Sequence, residues 1–519
     1  MRAARLLALL LATQLTAVAA AAAAAPPHAG SLDRSFGEKG RVTLRLPGEP
    51  FAPAALAVQP DGRIVVTGTL PGAVGTGPGE FGGRAFAMRF LADGTLDPAF
   101  GDGGIARAEF PYPVSIEGLA PQPDGALLLS GITQDDVGTY RGVVVRLLPS
   151  GLVDEAFGSS GITRLPAAGS GYPPGLHSLT HIGVQPDGRM VAAGSQYSFD
   201  PHTLADPYVA RLTPDGALDQ SFDDDGRASI GTANPIAVLP LPDGDTVVVG
   251  TDEEHFGGSG LTLLRVSGGD LAYHRYRSSL TGVGAQVRAD GTIDFIGRLV
   301  NYAARPNRRF LAHARIGQDL ELLEQDKVPK NDLLAAAFDS RGAVLTAGTW
   351  LFPFDAPPFR IERYRDMRRL DRSFGSRRGT RNVFFERPGE LTGIAMQGDR
   401  LIVAGYTHPR EHRSQGTSLT LVGLHARQDG SGPRLYLKRL PRHRCVSGPA
   451  TLLVLARDES AVTTRVWIDR HRLATETRHR FRVTLDASEL KPGRHRLRVR
   501  SVDAAGNLGA RSTTVRVCG

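Results

Sequence analysis

Cysteine is almost absent: 519 residues contain two, Cys445 and Cys518, and no C-x-x-C pair. That excludes a thiolate zinc cluster and a dithiol redox motif. Beyond residue 30 no stretch of 18 apolar residues occurs, so no hydrophobic span is expected there. Lysine is scarce, supplying five of the 61 basic residues. No P-loop, H-E-x-x-H or G-x-S-x-G elbow is present. The G-x-G-x-x-G at 77–82, "GPGEFG", sits among glycines and prolines with no helix after it, so it lacks the context of a dinucleotide site. Amphipathic helical periodicity is missing throughout. What remains is a chain of short β-type runs and turns.

The first 25 residues stand apart. Met1–Arg5 carries two arginines, Leu6–Leu15 is apolar, and Ala17–Ala25 is nearly pure alanine. Basic start, apolar middle and small residues are the pattern of a secretory signal peptide cut between Ala19 and Ala25. The alternative, an uncleaved anchor, is disfavoured because alanine is weakly apolar. The expected setting is therefore secreted or cell-surface, and an even cysteine pair there reads as a disulfide between Cys445 and Cys518.

Six residues, "LDRSFG", are spelled twice, at 32–37 and 370–375. Relatives lie between them: "LDPAFG" at 96–101, "VDEAFG" at 153–158 and "LDQSFD" at 218–223, with eroded forms "DLAYHR" at 270–275 and "LELLEQ" at 320–325. A second landmark accompanies each, as in "QPDGRIVVTG" at 59–68 and "LPDGDTVVVG" at 241–250. A third closes most units, as in "YVARLTPDG" at 208–216. Such self-similarity marks a repeat architecture. In Pro-Asp-Gly the proline presets φ, the aspartate bonds its own backbone and the glycine accepts positive φ. A short β-branched run follows, the mark of a hairpin arm.

About four strands per unit and seven units over 31–430 predict an all-β chain, a seven-bladed β-propeller of about 57-residue repeats. The hexamer is expected to start each blade, with structural roles for Asp33, Phe36, Asp97, Phe100, Asp154, Phe157, Asp219, Phe222, Asp371 and Phe374. The units resemble the Delta-60 (NHL/YVTN-like) repeats of secreted bacterial proteins, strongly in units one to four and seven. The resemblance implies a propeller and an exported setting, and no particular activity.

After a linker at 431–444, residues 445–519 change texture to five or six period-2 strands. Leu490, Pro492, Gly493, His495, Leu497, Val499, Asp503, Ala505, Gly506 and Asn507 resemble a pattern of bacterial Ig-like domains. That implies a small β-sandwich in which Cys445 and Cys518 staple the first strand to the last. Residues 431–519 hold 19 Lys+Arg against 7 Asp+Glu, a net of +12, leaving 42 basic and 46 acidic residues elsewhere. All the excess positive charge is in this piece. Alternation places Arg478, Arg480 and Arg482 on one exposed face, and Arg494, Arg496, Arg498 and Arg500 on another. Such ladders suit an anionic envelope polymer; no nucleic-acid partner is expected, because stacking aromatics are missing.

Chemistry is thin. His177 and His181 with Asp200 and His202 form the best metal-like cluster, but i, i+4 spacing aligns ligands only on a helix. "DDDG" at 223–226 and "DEEH" at 252–255 suit calcium loosely and lack the spacing of a dedicated loop. No cofactor is expected beyond that. The preferred reading is a monomeric, non-enzymatic protein whose propeller binds a protein or glycan. Tyr172, Tyr197, Phe199, Tyr208, Phe256, Trp350, Phe352 and Phe354 are read as near long loops that bind it. The rival is a propeller enzyme, a lyase, hydrolase or quinone-dependent oxidoreductase with a central pocket.

Overall fold

The computed structural model describes residues 29–518 apart from 47–50, 75–80, 167–175, 198–205, 231–233, 253–259, 269, 278–279, 289, 302–307, 330–332, 340–341, 349–358, 366–368, 376–378, 386–388, 408–416, 427–433, 439–444, 458–461 and 504–507. The expected signal peptide therefore lies outside the described residues. The chain divides into two compact units, Gly30–Ala426 and a unit built from Arg427–Gly519. Among the described residues the regular structure is strand, with one 3₁₀ turn at Ala487–Glu489. None of their helices is long and apolar enough to cross a membrane.

Gly30–Ala426 is a propeller-like stack of four-stranded antiparallel sheets, all but one of them simple up-and-down meanders. The first strands of successive sheets are Ala52–Val58, Val114–Pro121, Leu176–Val184, Asn234–Pro240, Leu280–Val287, Ala335–Phe338 and Gly389–Gln397. We number the sheets one to seven in that order. Each of these strands lies against the first strand of the next sheet, and Gly389–Gln397 lies against Ala52–Val58. The fourth strand of sheet seven comes from the other end of the unit: Arg41–Arg45 pairs with Ser418–His425.

Local chemistry explains the meander. Gly62, Gly125, Gly188 and Gly244 turn at φ of 86°, 92°, 87° and 97°. The preceding aspartate accepts from the backbone two residues on, as Asp61 Oδ1 does from Arg63 N at 3.0 Å. The second and third strands carry Val, Ile, Leu and Ala on both faces, because each sheet is covered on both sides. Apolar clusters fill the gaps between sheets one and two, two and three, three and four, four and five, five and six, and seven and one. In six sheets the first strand also carries a β-bulge at one place, skipping Ala54, Glu117, Thr180, Ile236, Val283 and Thr392.

The hexamer sits elsewhere than expected. It connects the third strand of a sheet to its fourth, so the segment after it completes that sheet rather than starting the next. Outer strands such as Ile105–Phe110 pair backwards onto Phe81–Phe90. The physical reason is reach: after the turn, the nearest unpaired edge is that of the strand just finished. The copy at 32–37 therefore serves sheet seven, where Leu32 bridges to Leu424.

The second unit packs a three-stranded sheet (Arg434–Lys438, Pro449–Arg457, Arg480–Asp486) on a four-stranded one (Val462–Ile468, His471–Glu476, Gly493–Asp503, Leu508–Val517). One apolar core joins them, with Val454, Phe481, Val466, Leu497 and Val499 at its centre. The expected linker at 431–444 instead contributes the strand Arg434–Lys438, which pairs with Pro449–Arg457. Cys445 and Cys518 form a disulfide. It joins the approach to the second strand to the end of the last, where Val446 bridges Val517, rather than first strand to last.

Candidate functional site

The hexamer residues form an interlock. In each complete copy the aspartate turns one oxygen to the backbone and the other to an arginine. Asp33, Asp97, Asp154, Asp219 and Asp371 accept from the amide two residues on at 3.0–3.2 Å. Their second oxygens take Arg400, Arg89, Arg146, Arg211 and Arg363 at 2.6, 2.8, 2.7, 2.7 and 2.5 Å. Four of those guanidiniums lie over the phenylalanine of the same hexamer, at 5.2, 4.2, 4.5 and 4.8 Å for Phe36, Phe100, Phe157 and Phe222. These phenylalanines and Phe374 are fully buried. Phe100 packs with both sheet one and sheet two, and Phe157 with both two and three.

The arginine then reaches the neighbouring sheet. Arg89 Nη1 donates to Pro149 O at 2.8 Å, Arg146 to Pro214 O at 2.5 Å and Arg400 to Ala92 O at 2.6 Å. A second link repeats nearby: Gln59, Gln185 and Gln397 donate to the carbonyls of Gly125, Gly244 and Gly62 in the next Pro-Asp-Gly-type turn. Burial opposes ionisation of Asp33, Asp219 and Asp371. Hydrogen bonds from serine and arginine outweigh it and hold all three carboxyls below their ordinary value.

The eroded copies keep an arginine and find its acid elsewhere, which sequence comparison missed. In sheet four Arg265 pairs with Asp245 at 2.6 Å and Asp243 at 2.7 Å, both from the preceding turn. In sheet five the acid is Asp294, on the strand directly across from Arg315. Asp294 takes His313 at 3.0 Å, Arg315 at 3.1 Å and Arg288 at 3.2 Å. The visible signal was a carboxylate inside the β-branched run "GTIDFIG".

All these links occupy one end of the sheet stack, where first strands turn into second and third into fourth. At the opposite end the first strands begin, and the longer connections between second and third strands leave. That end carries polar groups on the bulged strands. Ser178 Oγ donates to Glu117 Oε2 at 2.8 Å, Ser195 Oγ to Asn234 Oδ1 at 3.2 Å, and Tyr406 Oη to Glu390 Oε2 at 2.7 Å. His181, beside the Thr180 bulge, shares a 2.8 Å hydrogen bond with Thr180 Oγ1, and burial pushes it down to about 4. It is neutral at pH 7.

Asp200 and His202 of the expected histidine cluster lie outside the described residues, as do Glu253–His255 of the second calcium candidate. No group of three metal-ligating side chains occurs among the described residues. Of the loop aromatics, Tyr172, Phe199, Phe256, Trp350, Phe352 and Phe354 also lie outside them. Tyr208 lies near a long connection, in the strand Asp206–Leu212. It packs against the core between sheets two and three, and burial raises its pKa.

In the second unit the predicted arginines separate. Arg478 pairs with Glu476 at 3.0 Å in a turn. Arg480 and Arg482 stand opposite Leu455 and Leu453 on the three-stranded sheet. Arg494, Arg496, Arg498 and Arg500 are on the outer face of the other sheet, joined by Arg465, Arg472 and Arg516, which the alternation of single strands did not reveal.

Residues 122–157 and 185–222 match a family described as a domain of unknown function (DUF5122) beta-propeller. Each match runs from a Gln-Pro-Asp-Gly turn to the hexamer phenylalanine. No curated protein matches the sequence. Among solved structures the chain is similar to the beta-propeller domain of the Trilobed protease from Pyrococcus furiosus, at 7% identity over 72% of this chain and 93% of that one, TM-score 0.39. It is also similar to a prolyl endopeptidase at 11% identity, over 80% of this chain and 54% of that one, TM-score 0.42. A Trypanosoma rangeli sialidase aligns at 7% identity, over 90% and 84%, TM-score 0.36. A β-propeller domain is supported, and likeness at this level says nothing of activity.

Proposed function

We propose that this is an exported bacterial binding protein. A seven-bladed propeller of Delta-60 type presents one end to a protein or glycan, and an Ig-like domain attaches it to anionic envelope material. Supporting the ring are seven sheets in sequence and the strand Arg41–Arg45, which completes sheet seven from the start of the unit. The sheet order of the second unit supports the Ig-like reading: strands one, two and five form one layer, and four, three, six and seven the other.

The observation that carries the binding role is the asymmetry between the two ends of the ring. One end is consumed by repeated internal links. The other bears connections of unequal length, including "TWLFPFDAPP" at 349–358 with its three aromatics. Aromatic-rich, variable loops on a rigid scaffold are where recognition is usually built.

Co-sedimentation of the mature chain with bacterial envelope preparations across a salt series tests this. Capture is expected, with a salt-sensitive part from the basic domain and a salt-resistant part from the ring. Replacing 349–358 and 408–416 by short Gly-Ser connections should remove the salt-resistant part. A chain that never pellets, or a loop-replaced chain that pellets unchanged, sinks the reading.

A further inference from the structure

We propose that the outer face of the four-stranded sheet in the C-terminal unit binds an acidic polysaccharide, its arginines holding the anionic groups and Trp467 lying under a sugar ring. This rests on the reading of that unit as the attachment domain. The sheet buries Val462, Thr464, Val466, Ile468, Leu497, Val499, Ser501, Val515 and Val517. The alternate residues therefore point outward. They include Arg465, Arg472, Arg494, Arg496, Arg498, Arg500 and Arg516. Among the described residues none of these guanidiniums forms a salt bridge, and the carboxylate beside the face, Asp469, accepts from the Arg496 amide and His495 and feels the charge of Arg498.

Three features separate this face from an ordinary solvated one. First, like charges are set directly opposite: Arg465 faces Arg500, and Arg494 faces Arg516. Directly opposed like charges destabilise a sheet, and an anion between them reverses the sign of that interaction. Second, Arg498 is held by a bond from Nη2 to the carbonyl of Asp469, while its buried Nε has no hydrogen-bond partner. Third, half-buried Trp467 lies between Arg472 and Arg498 in one cross-strand row.

Those features also choose the occupant. Arginines at alternate positions stand about 6.6–6.8 Å apart along a strand, which suits a polymer carrying regular anions. Guanidinium forks fit carboxylate or sulfate bidentately. Thr475 faces Arg465, Ser512 faces Arg498 and Thr514 faces Arg496, so hydroxyls accompany the cations. One flat aromatic amid hydroxyls and guanidiniums fits a pyranose ring. A nucleic acid would need a series of stacking aromatics.

Binding of the mature chain to polygalacturonic acid and dextran sulfate is the test, with neutral dextran, inorganic polyphosphate and phosphatidylglycerol vesicles as comparisons. R498Q/R500Q is expected to weaken polygalacturonate or dextran sulfate binding at least tenfold and flatten its salt dependence. R480Q/R482Q, the same charge change on the other sheet, should leave it within twofold. In a W350F background the fluorescence of Trp467 should respond to the acidic polysaccharide, a readout that needs no folding-sensitive Trp467 variant. Equal loss in R480Q/R482Q, a silent Trp467, or tighter binding to polyphosphate or vesicles than to either acidic polysaccharide overturns the proposal. Envelope capture that survives R498Q/R500Q unchanged overturns it too, while leaving the broader binding reading intact.

Discussion

Sheets three and five solve one problem with different residues. Each has an arginine on its third strand, at the end where sheets interlock. In sheet three the acid arrives from the hexamer: Asp219 meets Arg211, which is 1% exposed, and Phe222 lies under the guanidinium. Sheet five has no hexamer aspartate. Its third strand runs into a full-length outer strand, Leu322–Pro329, and the acid is Asp294 from the neighbouring strand. The arginine is the common element, and the acid is wherever the backbone can supply one. A guanidinium held largely out of water without a counter-charge is costly, and in the two eroded sheets, where Arg265 and Arg315 are partly solvated, another carboxylate still comes within reach.

Acid should have the largest effect, because it acts on several interlocks at once. The carboxyls of Asp33, Asp219, Asp294 and Asp371 are held below their ordinary value, burial being outweighed by hydrogen bonds and nearby cations. Their contribution is therefore complete above the unfolded value near 3.9 and lost as pH falls through the folded values. His181, buried as the neutral form near 4, adds an earlier decline, since the unfolded chain takes up its proton from about 6.5 downward. Urea midpoints should be flat from pH 8 to 7, fall gently to about 4, and then fall steeply. H181N should remove the gentle part alone.

Next in size, D294N removes the buried acid shared by Arg288, His313 and Arg315, of which, among the described residues, only Arg315 keeps another, Glu324 at 3.1 Å, and should cost about 3–5 kcal/mol. D154N should cost less, about 1.5–3 kcal/mol, because Arg146 and Asp154 are partly solvated. Equal losses in the two variants would break the distinction drawn here between the enclosed hub and the hexamer pair. Smallest is Q185A, which removes one hydrogen bond to Gly244 O and should cost about 0.5–1.5 kcal/mol. Chemical denaturation of the three variants at pH 7 ranks them directly.

Much of the fold was legible because its cues are local. Pro-Asp-Gly turns, β-branched runs and the hexamer depend on residues a few positions apart, and their recurrence announces the repeat. The assignment of the hexamer to the start of a unit failed for a different reason. A strand pattern states that a strand forms, not which neighbour it pairs with, and Ile105–Phe110 pairs backwards. Tyr208 stands beside a long connection, as its sequence position suggests, but only the pairing of 206–212 shows that it is a strand residue partly buried between sheets two and three.

In the second unit, alternation along single strands correctly turned Arg494–Arg500 and Arg480–Arg482 outward. Which arginines share a surface was not legible. Arg465, Arg472 and Arg516 join the Arg498 face only through cross-strand register, and Arg480 and Arg482 lie across leucines on the other sheet.

By itself the sequence determined the all-β class, the repeat, the turn positions and the outward direction of the arginines, since each follows from φ preference or period-2 alternation within one strand. The tertiary structure alone decided which sheet each outer strand completes, which carboxylate neutralises Arg265 and Arg315, and which seven arginines form one field. Those outcomes depend on pairing between segments far apart in the chain, where geometry and charge select a partner that no local pattern names.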